Sequence, residues 1–141
     1  MSLTRVSADQ PARMPSPFDV VAIAASLAGP RTLMALLGAL PADFPAPILI
    51  VQHRSPQHPS YLAAVLGART TLAVVDAAHG DPPLPGTVYI APPDHHLVVA
   101  PDGTLALHAG PRVNLVRPSA DVLFASVATR SGERAIAVVL T

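Results

Sequence analysis

Continuous apolar runs recur along this chain. Runs of this kind, bounded by turn residues, are typical of parallel strands that are buried on both faces of a sheet. They predict strands at 20–25, 48–51 and 135–140, with a shorter strand at 72–75. The most regular segments of the chain are therefore predicted to lie in one parallel sheet.

Between the apolar runs, hydrophobic residues recur at helical spacing. Pro30 suits the first position of a helix, and the leucines after it fall on a single stripe. That stripe consists of Leu33, Leu36, Leu37 and Leu40. A second helix is predicted to open at Pro59, and a third to run from an N-cap at Ser119 to about Thr129. The predicted inner face of the second helix consists of Leu62, Val65 and Leu66.

Residues 87–108 have a different character. Short apolar segments at 87–91, 97–100 and 104–108 predict strands, and Pro101-Asp102-Gly103 is a turn sequence between the last two. We expect a small antiparallel excursion here. Since strands and helices alternate elsewhere, the predicted fold is α/β: a three-layer, doubly wound, mostly parallel sheet.

Composition narrows the class of protein. Of 141 residues, 50% are hydrophobic and 13% are charged, so much of the surface of the elements is expected to be covered. The formal net charge is zero and no basic stripe is present, which argues against nucleic-acid binding. No apolar run approaches a membrane span, and no cysteine is available for a disulfide or a thiolate site.

The amino-terminal residues 1–18 are polar and rich in proline, without an apolar stretch of their own. They are predicted to be a flexible lead-in and not a signal peptide. We therefore expect one domain at 19–141 and a cytoplasmic location.

Two of the predicted strands are each followed by a polar residue that can carry chemistry. Ser26 comes directly after the first strand, and His53 comes one residue after the second. Because strands joined by a right-handed crossover usually lie side by side, we expect both residues at the same carboxyl edge of the sheet. A hydroxyl beside an imidazole pairs a nucleophile with its general base, so the sequence predicts acyl transfer at this edge.

Small residues surround Ser26, as they do in the strand-to-helix elbow of serine hydrolases. Ala24 and Ala28 stand where the elbow motif G-x-S-x-G has glycines. By analogy with that elbow, the backbone N–H of Leu27 is the candidate oxyanion donor. The alternative interpretations are an ordinary βα turn at Ser26 and a free amide at the helix start for Leu27.

The other polar candidates are assigned structural roles. Histidines could be imagined as a metal site, but they show no recurring ligand spacing, and we expect no metal there. The histidines concerned are His53, His58, His79, His95 and His96. Asp121 is interpreted as a charge at a helix N-terminus, and Arg117 as a solvated side chain or a backbone partner.

Several short motifs, in the right order, resemble the catalytic domain of chemotaxis protein-glutamate methylesterases. The resemblance covers 19–141 and is carried by the segments ending at Ser26, at Pro47 and at His53, by Gly86 to Pro92, by His96-Leu97 and by Arg117 to Phe124. It implies hydrolysis of γ-glutamyl methyl esters on the cytoplasmic part of chemoreceptors, often with glutamine deamidation, and without a cofactor. Ser26 matches the nucleophile of the family and His53 its base.

The sequence also departs from the family pattern at several positions. The family strand equivalent to 135–140 runs on into a Gly-rich turn that carries the triad aspartate and part of the oxyanion hole, whereas this sequence ends at Thr141 and holds no such aspartate. Leu27 and Ala28 replace a threonine and a glycine, and Arg54 replaces a methionine. No receiver domain precedes residue 19, so we expect no phosphorylation switch in cis. As written, the polypeptide is expected to be nearly inactive, with apolar sheet surface left for a partner or for aggregation.

Two other functions follow from the same residues. A truncated, non-catalytic relative would bind a receptor or partner segment at the same cleft. A phosphate or nucleotide binder would use the helix that starts near Pro30, but no G-x-G-x-x-G or P-loop lysine supports that reading, and we rank it last.

Overall fold

The computed structural model of the chain describes residues 16–26, 29–53 and 61–141. In chain order its elements are β1 (Val20–Ala25), α1 (Gly29–Gly38), β2 (Ile48–Gln52), α2 (Leu62–Gly67), β3 (Ala73–Asp76), β4 (Thr87–Ile90), β5 (His96–Val99), β6 (Leu105–His108), α3 (Ala120–Ser131) and β7 (Ala135–Leu140). A short 3-10 turn at Gly132–Arg134 joins α3 to β7. No helix in these ranges has the length and apolar character needed to cross a membrane.

Five parallel strands form the main sheet in the order β3-β4-β2-β1-β7. β5 and β6 pair antiparallel in a separate two-stranded sheet. The predicted α/β fold, with adjacent β1 and β2, is therefore confirmed. The antiparallel excursion is narrower than predicted, because Thr87–Ile90 lies inside the parallel sheet between β3 and β2 and only 96–108 is antiparallel.

Apolar side chains fill both faces of the sheet, which gives three layers. On one face, alternate residues of the central strands pack against Leu33 and Leu37 of α1 and Leu66 of α2. On the opposite face, the intervening residues pack against α3 and the β5–β6 hairpin, where Leu97 and Leu123 are fully buried. This alternation explains the continuous apolar runs, since every residue of a strand covered on both sides needs an apolar side chain.

The second helix is shorter than predicted and buries fewer residues. It begins at Leu62, and the predicted opening at Pro59 lies outside the described residues. Leu62 and Leu66 are buried, but Val65 is 44% exposed, so its assignment to the inner face was wrong. A helix of six residues presents one i, i+4 pair to the core, and Val65 falls beside that pair and not on it.

Of the predicted lead-in at 1–18, residues 1–15 lie outside the described ranges. The last of its residues are tied to the start of β7. Arg134 donates to the carbonyl oxygens of Ser16 (2.7 Å) and Pro17 (3.3 Å) and pairs with Asp19 at 2.8 Å. These contacts bring the segment before β1 beside the strand that pairs with β1.

β7 lies at the edge of the sheet and carries exposed apolar side chains. Ile136 is 40% exposed and Val139 is 65% exposed. The uncovered apolar surface predicted for this strand is therefore present. It adjoins the carboxyl edge of β1, where the candidate site lies.

Candidate active site

Ser26 and His53 come directly after two neighbouring strands, at the same level of the sheet. β1 and β2 are parallel, and the last register pair between them is Ala25 with Gln52. The next residue of each strand is therefore Ser26 on one side and His53 on the other. Both are exposed, as a nucleophile and a base that meet a substrate from solution need to be.

The two side chains line one cavity of about 280 Å³. Its wall comes from the carboxyl ends of β1, β2 and β7 and from the start of α3, and the residues other than Ser26 and His53 are Ala24, Ala25, Val51, Val116, Pro118, Ala120, Val139, Leu140 and Thr141. The wall of this cleft is mostly apolar around Ser26 and His53.

The backbone of Ser26 is held from both neighbouring strands. Its N–H donates to the carbonyl of Leu140 in β7 at 3.2 Å. Its carbonyl accepts from the N–H of Gly29 at 2.8 Å and from Nε2 of Gln52 at 3.3 Å. Every backbone polar group of Ser26 therefore has a partner, which fixes where its side chain begins.

Gly29 is required by the tight turn that follows Ser26. An ideal Cβ at this position would lie 2.7 Å from Cβ of Ala25 and 3.4 Å from Nε2 of Gln52. The first of these distances is shorter than real Cβ contacts allow, so the absence of a side chain lets α1 begin this close to β1. Small residues around Ser26, the feature read from the sequence, thus have a steric reason at Ala25 and Gly29.

Some predicted site residues lie outside the described ranges. Leu27, the candidate oxyanion donor, is one of them, as are Ala28, Arg54 and His58. Their assignments remain predictions from the sequence.

Arg117 lies between Val116 and Pro118, two residues that line the cleft, and its side chain makes several contacts. Its guanidinium pairs with Asp94 at 2.7 Å and donates to the carbonyl oxygens of Ala109 and Gly110 at 3.1 and 2.9 Å. The hydrogen bond and the charge of Arg117 hold the pKa of Asp94 below its ordinary value, although desolvation opposes them. Arg117 is thus a backbone partner, which was one of its two predicted roles.

His96 is buried and bonds to the segment before α3, which contributes Val116 and Pro118 to the cleft. The ring is 1% exposed, and its Nδ1 accepts from the N–H of Ser119 at 3.2 Å. Nε2 lies 2.9 Å from the carbonyl oxygen of Pro111, so Nε2 carries the hydrogen and donates it. His96, the first residue of β5, therefore joins that strand to the loop before α3.

Replacing His96 by leucine is expected to lower the free energy of unfolding by about 1 to 3 kcal/mol. Leucine fills the site but leaves the N–H of Ser119, a residue that is 2% exposed, buried without a partner, whereas Pro111 is exposed and its carbonyl has access to water. Urea unfolding measures the loss. His95→Leu is the matched control, since His95 is the exposed neighbour, and an equal loss in both variants would contradict this role of His96.

His79 and Asp121 have structural contacts. No cluster of three or more potential metal ligands occurs within 16–26, 29–53 and 61–141. Nδ1 of His79 accepts from the N–H of Leu107 at 3.1 Å. Asp121 lies in the first turn of α3, as predicted, and accepts from Nδ2 of Asn114 at 2.7 Å.

Sequence reasoning missed two residues of this region. Gln52 was given no role, although a polar residue between an apolar run and His53 was a usable signal. His96 had a weaker signal, because successive strand residues face opposite ways and one member of the pair with His95 had to point inward.

Comparisons with known proteins identify the family of this chain. The family model described as CheB methylesterase matches residues 21–141. The chain is 46% identical over 130 residues to protein-glutamate methylesterase FrzG of Myxococcus xanthus, which covers 92% of this chain and 39% of that protein. It is 46% identical over 123 residues to a protein-glutamate methylesterase/protein-glutamine glutaminase 2 of Anaeromyxobacter dehalogenans, with 87% and 36% covered.

A solved structure extends the likeness to three dimensions. The crystal structure of the Thermotoga maritima CheB methylesterase catalytic domain matches with a TM-score of 0.82 and 38% identity, over 88% of this chain and 67% of that one. These features define an α/β protein with a cleft at the carboxyl edge of its sheet. This chain belongs to the CheB methylesterase family. It spans 39% and 36% of the length of the two relatives named above.

Proposed function

We propose that this chain is a catalytic domain that hydrolyses γ-glutamyl methyl esters on the cytoplasmic segments of chemoreceptors. The observation that carries the proposal is the shared cleft, in which Ser26 and His53 follow the paired ends of β1 and β2. Relatives named as protein-glutamate methylesterases support the choice of substrate. The proposed substrate places the chain in the cytoplasm.

The proposed reaction is acyl transfer in two stages. Oγ of Ser26 attacks the ester carbonyl carbon while an imidazole nitrogen of His53 takes its proton. The tetrahedral intermediate then expels methanol, which receives that proton from His53, and a glutamyl ester of Ser26 remains. Water, deprotonated by His53, attacks this ester and releases a glutamate carboxylate and the free serine.

The same stages apply to a glutamine side chain, with ammonia as the leaving group. The relative from Anaeromyxobacter dehalogenans is named as a protein-glutamine glutaminase as well. We therefore include deamidation in the proposal. The N–H of Leu27 is the proposed oxyanion donor in both reactions, by analogy with the residue after an elbow serine.

The non-catalytic alternative is favoured by the sequence around the nucleophile. Leu27 and Ala28 stand where the family pattern has a threonine and a glycine. In this alternative the cleft binds the same receptor segment without turnover. The wall of the cleft, mostly apolar around two polar side chains, suits either role.

A peptide experiment distinguishes the two. A chemoreceptor peptide with one γ-methyl glutamate is mixed with an excess of the chain, and mass spectrometry follows the loss of the methyl group while calorimetry measures binding. We expect binding with slow loss of the methyl group, and weaker binding of the unmethylated peptide. Binding without any loss supports the alternative, and absence of binding contradicts both.

A further inference from the structure

Gln52 is a buried amide at the end of an otherwise apolar strand. It is 4% exposed, and the other four residues of β2 are apolar and buried. Since successive strand residues point to opposite faces, Gln52 faces the α1 side of the sheet, where a Cβ on Gly29 would meet it. His53, the next residue, lines the cleft that α3 helps to form.

Nε2 of Gln52 reaches across from β2 to the turn after β1. It donates to the carbonyl of Ser26 at 3.3 Å, and the N–H of Gly29 donates to the same oxygen at 2.8 Å. A carbonyl oxygen has two lone pairs, so both are used. A Cβ at position 29 would lie 3.4 Å from Nε2, in ordinary van der Waals contact with the amide, so Gly29 and the amide are immediate neighbours.

The oxygen of the Gln52 amide differs from its nitrogen in its hydrogen bonding. Oε1 of Gln52 is buried and has no hydrogen-bond partner in the described part of the chain. Rotating the amide by half a turn would not help, since it would set Oε1 against the carbonyl of Ser26, acceptor against acceptor. An apolar side chain of the same length would have no unpaired oxygen at this position. The hydrogen bond to Ser26 is what such a side chain would lose.

We infer that Gln52 is a positioning residue for Ser26, an inference that rests on the proposed function. Gln52 and His53 are consecutive, so one residue holds the backbone of the nucleophile while the next presents the base. The separation of Ser26 from His53 is then set by one hydrogen bond and by the short stretch of backbone that joins Gln52 to His53. Misplacing reacting groups by about 1 Å can cost about a hundredfold in rate, which is why such a hold matters for acyl transfer.

The test replaces Gln52 by methionine, which is close in length and has no amide. We expect the rate constant for p-nitrophenyl acetate hydrolysis, kcat, to fall about tenfold with little change in KM, a smaller loss than removal of Ser26 gives. The unfolding midpoint is expected to stay the same or to rise, because the unpaired Oε1 is gone. Hydrogen exchange at the Gly29 amide is expected to accelerate, since the carbonyl that accepts from it is no longer held.

The matched control is Ile50→Val, on the same strand and the same face as Gln52. It removes buried volume without touching Ser26, so the unfolding midpoint falls while kcat stays the same. Gln52→Asn serves as a second variant, because its shorter amide does not span to Ser26 and gives the same loss of kcat. An unchanged kcat, or unchanged exchange at Gly29, in Gln52→Met overturns the inference. Ser26→Ala with the activity of the unaltered chain overturns the proposed function instead.

Discussion

The aspartate of a turn joined to Thr141 is expected to raise the rate of methyl-ester hydrolysis by about four orders of magnitude, before any contribution of that turn to the oxyanion hole. The segment is taken from the Thermotoga maritima catalytic domain, at the point where the family pattern continues beyond the strand equivalent to β7. In serine hydrolases the orienting aspartate contributes about 10⁴ to turnover, by holding the imidazole and stabilising its charged form. Release of methanol from a methylated receptor peptide measures the change.

The same segment is expected to act through the oxyanion as well. The family turn supplies donors to the oxyanion hole, and a lost donor costs about 10² to 10³ in kcat. The control is the same fusion with its aspartate replaced by asparagine, which keeps the turn and removes the acid. If both fusions are as slow as the 141-residue chain, no acid acts on His53 and the proposed mechanism is wrong.

Replacing Ser26 by alanine is expected to have two very different effects. In the extended protein, kcat should fall by about 10⁶, the value for removing the nucleophile of a complete triad. In the 141-residue chain the fall should be only about a hundredfold, because about 10⁴ of that 10⁶ belongs to the aspartate and leaves about 10² for the serine and histidine alone. The same methanol assay measures both.

Ser131→Ala is the control for this pair of measurements. Ser131 is the last residue of α3 and precedes β7, so it lies towards the amino-terminal edge of the sheet, away from the cleft. Its replacement is expected to leave kcat unchanged in both forms. A Ser26→Ala protein that retains full turnover would remove Ser26 from the reaction.

The sequence was a good guide where burial on both faces imposes a simple pattern. β1 and β7 have the predicted bounds, because every residue in these two strands is apolar. The juxtaposition of β1 and β2, from which the shared cleft follows, came from the crossover rule alone. Small residues near Ser26 also proved informative, and Gly29 shows the steric reason.

Strand pairing beyond nearest neighbours was not available from the same pattern. Thr87–Ile90 is a run of four residues, too short to show whether its partners are parallel. Its place between β2 and β3 depends on contacts with strands that are distant in sequence. The boundary of the antiparallel part was therefore set too early, although the hairpin at 96–108 itself was anticipated.

The supporting residues of the site were hidden for a related reason. A histidine next to another histidine, or a glutamine at the end of a strand, has a role only when its hydrogen-bond partners are known. For His96 these partners are Ser119 and Pro111, and for Gln52 the partner is Ser26. All of them lie at least fifteen residues away in sequence.

Covalent labelling tests most directly whether Ser26 and His53 act together in one cleft. A fluorophosphonate, which forms a phosphonyl ester with an activated serine and releases fluoride, is added to the chain and the modified peptide is located by mass spectrometry. The account predicts a single adduct at Ser26, formed many times more slowly in His53→Gln. An adduct at another serine, or the same rate of labelling at Ser26 without the imidazole, would contradict it.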